Sequence, residues 1–223
     1  MLRVLKVARD TAVKSSTQAS NALKSVVVTA PAELRQALRA LTTTKLVNIC
    51  ADFRPGDCNS VTAATKLAMK SLACRIQDLQ CEVKSLDQQL IRLTNLAAPE
   101  LTELYGVGPE VASTLLVSAG DNPDRLSGEA AFANLCGVAP IPASSGKTNR
   151  HRLNRAGDRK ANAALYRIVV VRLRFHEATK RYVERRTAEG LSKKEIIRCL
   201  KRYVAREVFA ALKAIGERKA LTA

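Results

Sequence analysis

The chain has 223 residues, 47% of them hydrophobic, with 4% aromatics, no Trp and a formal net charge of +17. This length and apolar content suit one or two domains with real cores, and the scarcity of aromatics argues against a stacking platform for single-stranded bases. The charge is uneven: residues 141–223 hold 22 Lys and Arg against 7 Asp and Glu, and residues 1–140 hold 15 against 13. A one-sided charge of this size suits a polyanion-binding surface, because each neutralised phosphate releases condensed counterions. The plainer alternative is a basic but passive surface.

The opening MLRVLKVARDTAVK places charges every few positions and contains no apolar run of signal-peptide or membrane-span length, so a cytoplasmic location is expected. Leu2, Leu5, Ala8 and Ala12, then Leu23, Val26 and Val27, predict a helix ending before Pro31, where a second short helix, PAELRQALRAL, begins. Pro55, Gly56 and Asp57 break the chain. From Met69, the residues Leu72, Ile76, Leu79, Val83, Leu86, Leu90 and Leu93 alternate steps of three and four, a coiled-coil seam. The same pattern fits one amphipathic helix packed within its own domain, and pairing within a hairpin or between chains is left open. The expected organisation is an N-terminal helical segment at 1–58, a long coiled-coil helix at 59–98 and a helical C-terminal domain at 99–223.

Pro99 stops the long helix, and LTELYGVGPEVASTLLVSAG then sets Gly106 and Gly108 about Val107 between helical stretches. This fits a helix-hairpin-helix element, whose glycines let backbone N–H groups approach a phosphate. The absence of basic residues between Leu101 and Asp124 suits an ordinary tight turn equally. A second helix pair is expected around DRLSGEAAFANLCGV. Asp158 to Glu189 reads as one long helix ending at Gly190, with IVVVRLRF inside it. Ser192 and Glu195 form a capping box for a last helix ending near Gly216. The fold class is therefore mainly α.

Six cysteines, at 50, 58, 74, 81, 136 and 199, show no C-x-x-C pair and no His at ligand spacing, so they support neither a zinc site nor a disulfide framework. They read as small buried residues. The most distinctive segment is LCGVAPIPASSGKTNRHRLNRAGDRK, residues 135–160, in which Ser144, Ser145 and Gly146 precede Lys147, Arg150, His151, Arg152, Arg155, Arg159 and Lys160, opposed only by Asp158. Guanidinium and ammonium groups neutralise phosphate oxygens as charge builds on them, so this segment reads as facing nucleic acid. Ser-Gly by itself is a common turn dipeptide.

The elements Gly137, Val138 and Pro140, then Ser145 and Gly146, then a basic run ending in Gly157 and Asp158, resemble the C-terminal domain of the bridge-RNA-guided insertion-sequence transposases, the serine-using one-ten group. The resemblance covers about residues 100–215 and includes RRTAEGLSKKEIIRCLKRYVARE. It implies that Ser145, with Ser144 one position back as the alternative, attacks a scissile phosphate and forms a covalent protein-DNA phosphodiester. The residues themselves point to nucleic-acid contacts from Gly106, Gly108, Lys147, Arg150, Arg152, Arg155, Arg159 and Lys160, and His151 reads as a further polar contact or as a group that orients or accepts a proton. Full-length members of the family begin with a RuvC-like nuclease-fold domain whose acids bind Mg²⁺. The N-terminus here resembles the helices that follow that domain, which implies a truncated transposase without a metal site of its own. DNA, a guide RNA, and a second copy or a full-length transposase paired through the coiled coil are the expected partners. A non-catalytic helical DNA- or RNA-binding protein that dimerises through residues 69–93 is the alternative from a different functional class.

Overall fold

A computed structural model describes residues 1–120, 126–143 and 151–222. Among the described residues it contains ten helices and one two-stranded sheet, a mainly α fold. The chain forms two compact units, in essence residues 3–89 and residues 90 onward, with the boundary inside the fourth helix.

The first unit comprises α1 (Leu2–Thr29), α2 (Ala32–Leu38), α3 (Thr43–Ala51) and most of α4 (Val61–Ala97). Helix α1 stops where Ala30 turns extended ahead of Pro31, as the steric bulk of a following proline requires. Its buried face, Ala12, Ala19, Leu23 and Val27, repeats at heptad-like spacing. Leu23 and Val27 share a core with Leu38, Leu46, Val47, Cys50, Met69, Ala73 and Ile76. An ion pair between Arg9 and Asp87 adds a contact between α1 and α4. The predicted seam of α4 thus lies partly in a core of its own chain: Met69 and Ile76 are fully buried, whereas Leu72, Leu79, Val83 and Leu86 are half-buried. Helix α3 has no counterpart among the predicted elements.

The second unit contains α5 (Pro99–Thr102), α6 (Pro109–Ala119), α7 (Glu129–Leu135), β1 (Ile141–Pro142), β2 (His151–Arg152), α8 (Arg159–Phe175), α9 (Glu177–Ala188) and α10 (Lys193–Thr222). Leu101, Leu115, Phe132, Leu165, Ile168, Ile196 and Val208 are fully buried in one core. The IVVVRLRF run lies in α8, with Ile168 and Val169 inward and Val170 and Val171 outward, the division a helix imposes.

Three expectations need correction. The long helix from Asp158 to Glu189 is broken at His176, whose extended backbone (φ −103°, ψ 108°) ends α8 and starts α9. At the break the His176 ring lies 4.8 Å from that of Tyr105, a tertiary contact, and its Nδ1 is 2.8 Å from the hydroxyl of nearby Thr179, a local one. The helix pair around DRLSGEAAFANLCGV is a single helix, α7, among the described residues. Helix α10 continues through Gly216 to Thr222, because glycine inside a helix costs only about 1 kcal/mol and the flanking apolar stripe is buried. Gly190 does end α9, at φ +87°, and the Ser192–Glu195 capping box forms, with the Ser192 amide donating to Glu195 Oε2 at 2.9 Å.

Candidate nucleic-acid interface

Gly137 and Gly157 meet where two stretches of backbone cross. A Cβ on Gly157 would lie 2.6 Å from the Gly137 nitrogen and 2.7 Å from the Leu135 carbonyl oxygen, and one on Gly137 would lie 2.6 Å from the Ala156 carbonyl oxygen. Both have positive φ, +62° and +107°, so both the crossing and the local backbone call for glycine. The Asp158 amide donates to the Leu135 carbonyl at 2.7 Å and locks the crossing. Beyond it, Pro142 pairs with His151 and Ile141 with Arg152 in the short antiparallel sheet. Positions 143–150 therefore connect two strands whose facing ends are held together.

Asp158 is the N-cap of α8. Its Oδ1 accepts from the Lys160 amide at 2.7 Å and the Ala161 amide at 3.3 Å, and its Oδ2 accepts from the Ser118 hydroxyl at 2.6 Å. Burial pushes this carboxyl up, but the Ser118 hydroxyl and the two amides outweigh it and hold the group below its ordinary range. The single acid of the basic segment thus has a structural partner set of its own. Asn162 braces the same crossing, donating to the carbonyls of Cys136 at 2.8 Å and Gly137 at 3.2 Å. Lys201 Nζ in turn donates to Asn162 Oδ1 at 2.8 Å.

Around this base the structure gathers cations. His151, Arg152, Arg155, Arg159 and Lys160 are all exposed. Arg152, Arg155 and Arg159 have no carboxylate partner among the described residues, whereas many arginines elsewhere do: Arg172 grips Glu207 in a bidentate pair and Arg202 bonds Glu129. A cleft of about 640 Å³ opens between the 137–140 and 151–154 stretches on one side and α9 and α10 on the other, with Arg186, Arg198, Lys201 and Arg206 among its lining. A smaller one of about 420 Å³ lies on the other side of residues 153–154 and shares Lys201. Ser144, Ser145, Lys147 and Arg150 lie outside the described residues.

Gly106 and Gly108 differ in surroundings. Gly106 takes φ +79° and sits against α8, where a Cβ would lie 3.4 Å from Val171 Cγ1. Gly108 is exposed at the N-cap of α6 with open space around it. In the first turn of α6, Glu110 is ion-paired to Arg167. The turn is fastened to α8 by Arg172, whose Nε donates to the Tyr105 carbonyl at 2.9 Å.

Asn162 and Ser118 carried no sequence signal that singled them out. Lys201 could have been found, since it falls on the α10 stripe that buries Ile196, Leu200, Val204, Ala205 and Val208, where a lysine is out of place. Cys50 and Cys136 are buried as expected, and burial pushes their thiols up to about 11 and about 12. Cys58 and Cys81 are exposed instead.

The glycine crossing and the exposed cations beside it belong to the helical second unit. Residues 98–184 match the model of the Transposase IS116/IS110/IS902 family. The chain is also 26% identical over 155 residues to the "Insertion element IS110 uncharacterized 43.6 kDa protein" of Streptomyces coelicolor, a match covering 68% of this chain and 38% of that relative. Both findings support this transposase family. The matched segment runs from α5 into α9 and contains the glycine crossing, both strands and the capped start of α8. Among the described residues no helix is long and apolar enough to cross a membrane.

Proposed function

We propose that this chain takes part in DNA transposition, binding duplex DNA through the cations of residues 147–160 and presenting Ser145 to a scissile phosphate. One observation carries the reading: within the family-matched segment, the strands that bracket the serine positions lead into exposed arginines with no carboxylate partner among the described residues. A guanidinium not neutralised by its own protein is free to take a phosphate bidentately. In the proposed step Ser145 Oγ attacks phosphorus and gives up its proton. The P–O bond to one flanking nucleotide breaks, and the displaced oxygen takes the electron pair and a proton. The new Ser–phosphate ester conserves the bond that a later attack by a DNA hydroxyl exchanges. The neighbouring cations offset charge on the non-bridging oxygens.

The Mg²⁺ of the family does not fit the residues in hand: among the described residues no three His, Cys, Asp or Glu side chains converge to hold a metal ion, and no step here runs through one. Metal binding falls instead to the family's nuclease-fold domain. The test supplies that domain in trans with Mg²⁺, a matching guide RNA and labelled target duplex. A protein-DNA adduct that resists denaturant is expected, lost in Ser145→Ala and only weakened in Ser144→Ala. An adduct lost in Ser144→Ala alone moves the nucleophile one residue back, and one retained in both variants overturns the assignment of either serine.

A second reading, a non-catalytic DNA- or RNA-binding protein that dimerises through α4 or pairs there with a full-length transposase, is favoured by the half-buried Leu79, Val83 and Leu86, whose apolar surface is only partly covered within the chain.

A further inference from the structure

Lys201 is 7% exposed, and among the described residues its ammonium has one hydrogen-bond partner, the neutral amide oxygen of Asn162, and no carboxylate. A buried ammonium is costly unless paired, and native structures retain one uncompensated only rarely. Its surroundings add to the imbalance. Arg198, Arg202, Arg206 and Arg186 line the same cleft, with Glu195 the acid on its wall. Glu195 is engaged by the Ser192 cap and lies 3.8 Å from Arg198, and Arg202 and Arg206 share Glu129 from α7, so none of these acids reaches Lys201. A second donor on this wall is orphaned: Arg186 bonds Glu189 through Nη1, but its Nε is buried and has no hydrogen-bond partner among the described residues.

We infer that the cleft between the glycine crossing and helices α9 and α10 is a phosphate subsite in which Lys201, with Arg198 and Arg186, holds one phosphate group of a bound polynucleotide. The inference rests on the nucleic-acid reading above and adds to it cations of α9 and α10 that share the cleft with His151 and Arg152 of the basic segment. An entering phosphate supplies the counter-charge that Lys201 lacks and an acceptor for the orphaned Arg186 donor. Burial and then the nearby Arg198 push the Lys201 ammonium below the ordinary lysine range, and a bound anion would reverse that. Lys201 also borders the smaller cleft and braces Asn162, which holds the Cys136 and Gly137 carbonyls. The subsite is thereby coupled to the crossing of Gly137 and Gly157.

The test separates charge from bracing. Lys201→Gln keeps a donor for Asn162 and removes the charge; Lys201→Arg keeps both. Thermal midpoints are measured with inorganic pyrophosphate at constant ionic strength, and duplex affinity is measured against salt. For the parent and Lys201→Arg, pyrophosphate at ten times its Kd should raise the midpoint by about 5 °C. Lys201→Gln should show no rise, and the slope of log affinity against log salt should fall by about one in that variant. Equal responses from Lys201→Gln and the parent would mean that Lys201 only braces Asn162, and would overturn the subsite, as would a parent that ignores pyrophosphate and a slope that Lys201→Gln leaves unchanged. A Lys201-dependent pyrophosphate response without duplex binding would keep the subsite, as a site for free phosphate, and remove the polynucleotide reading.

Discussion

Replacing Gly157 by Ala should be among the most damaging small changes in the second unit. The new Cβ would lie 2.6 Å from the Gly137 nitrogen, 2.7 Å from the Leu135 oxygen and 2.8 Å from the Asn134 oxygen, all backbone atoms with no rotamer to escape through. The φ of +107° adds about 1–2 kcal/mol for any residue with a Cβ. Forcing the two stretches apart adds about 1–3 kcal/mol of packing strain. Lengthening the 2.7 Å bond from the Asp158 amide to the Leu135 carbonyl costs about 1 kcal/mol more. Together these reach about 3–6 kcal/mol, a large part of the roughly 5–15 kcal/mol of a typical domain. Gly216 is the control: it lies within α10 with open space around its would-be Cβ, so Gly216→Ala should stabilise by about 0.5–1 kcal/mol. Urea unfolding followed by far-UV circular dichroism reads both variants. A Gly157→Ala protein within about 1 kcal/mol of the parent, with the same m-value, would refute the backbone-crossing argument.

Two further changes address the cap and the seam. Asp158 has a depressed folded-state pKa, so its contribution to stability is present above the ordinary carboxylate range and is lost as the pH falls through the lower folded value. Asp158→Asn should therefore flatten the acid side of the stability profile measured by urea titration between pH 2 and 6, and a profile as steep as the parent's there would assign the acid sensitivity to other carboxylates. On α4, changing Leu79 and Leu86 together to Asp should disrupt helix pairing, at a cost of several kcal/mol from charge placed in an apolar seam. Unchanged sedimentation and helicity in that variant would show that the seam is neither interface nor core.

Local signals read well from the sequence where one residue type answers one local demand. The helicity of α4, the stop at Pro31, the Gly190 cap and the Ser192–Glu195 box each depend on neighbours within a turn or two. The break at His176 was illegible because no Gly or Pro marks it; the ring it packs against there belongs to Tyr105, far back in the chain. Gly137, Gly157 and Asp158 were legible as a motif, but their spacing did not reveal that the glycines touch each other or that Asp158 caps a helix. Lys201 was hidden by its setting, since in KKEIIRCLKRY a buried cation looks like its exposed neighbours until its position on the apolar stripe is counted.

The most direct measurement of the central claim is duplex affinity as a function of salt, for the parent chain and for a variant with Arg152, Arg155 and Arg159 changed to Gln. These three side chains are exposed, so the variant should fold as the parent does. The account predicts a log-log slope of several units for the parent and a slope smaller by about three in the variant, one counterion released for each phosphate no longer contacted. A parent whose affinity is indifferent to salt, or a variant with the parent's slope, would contradict it.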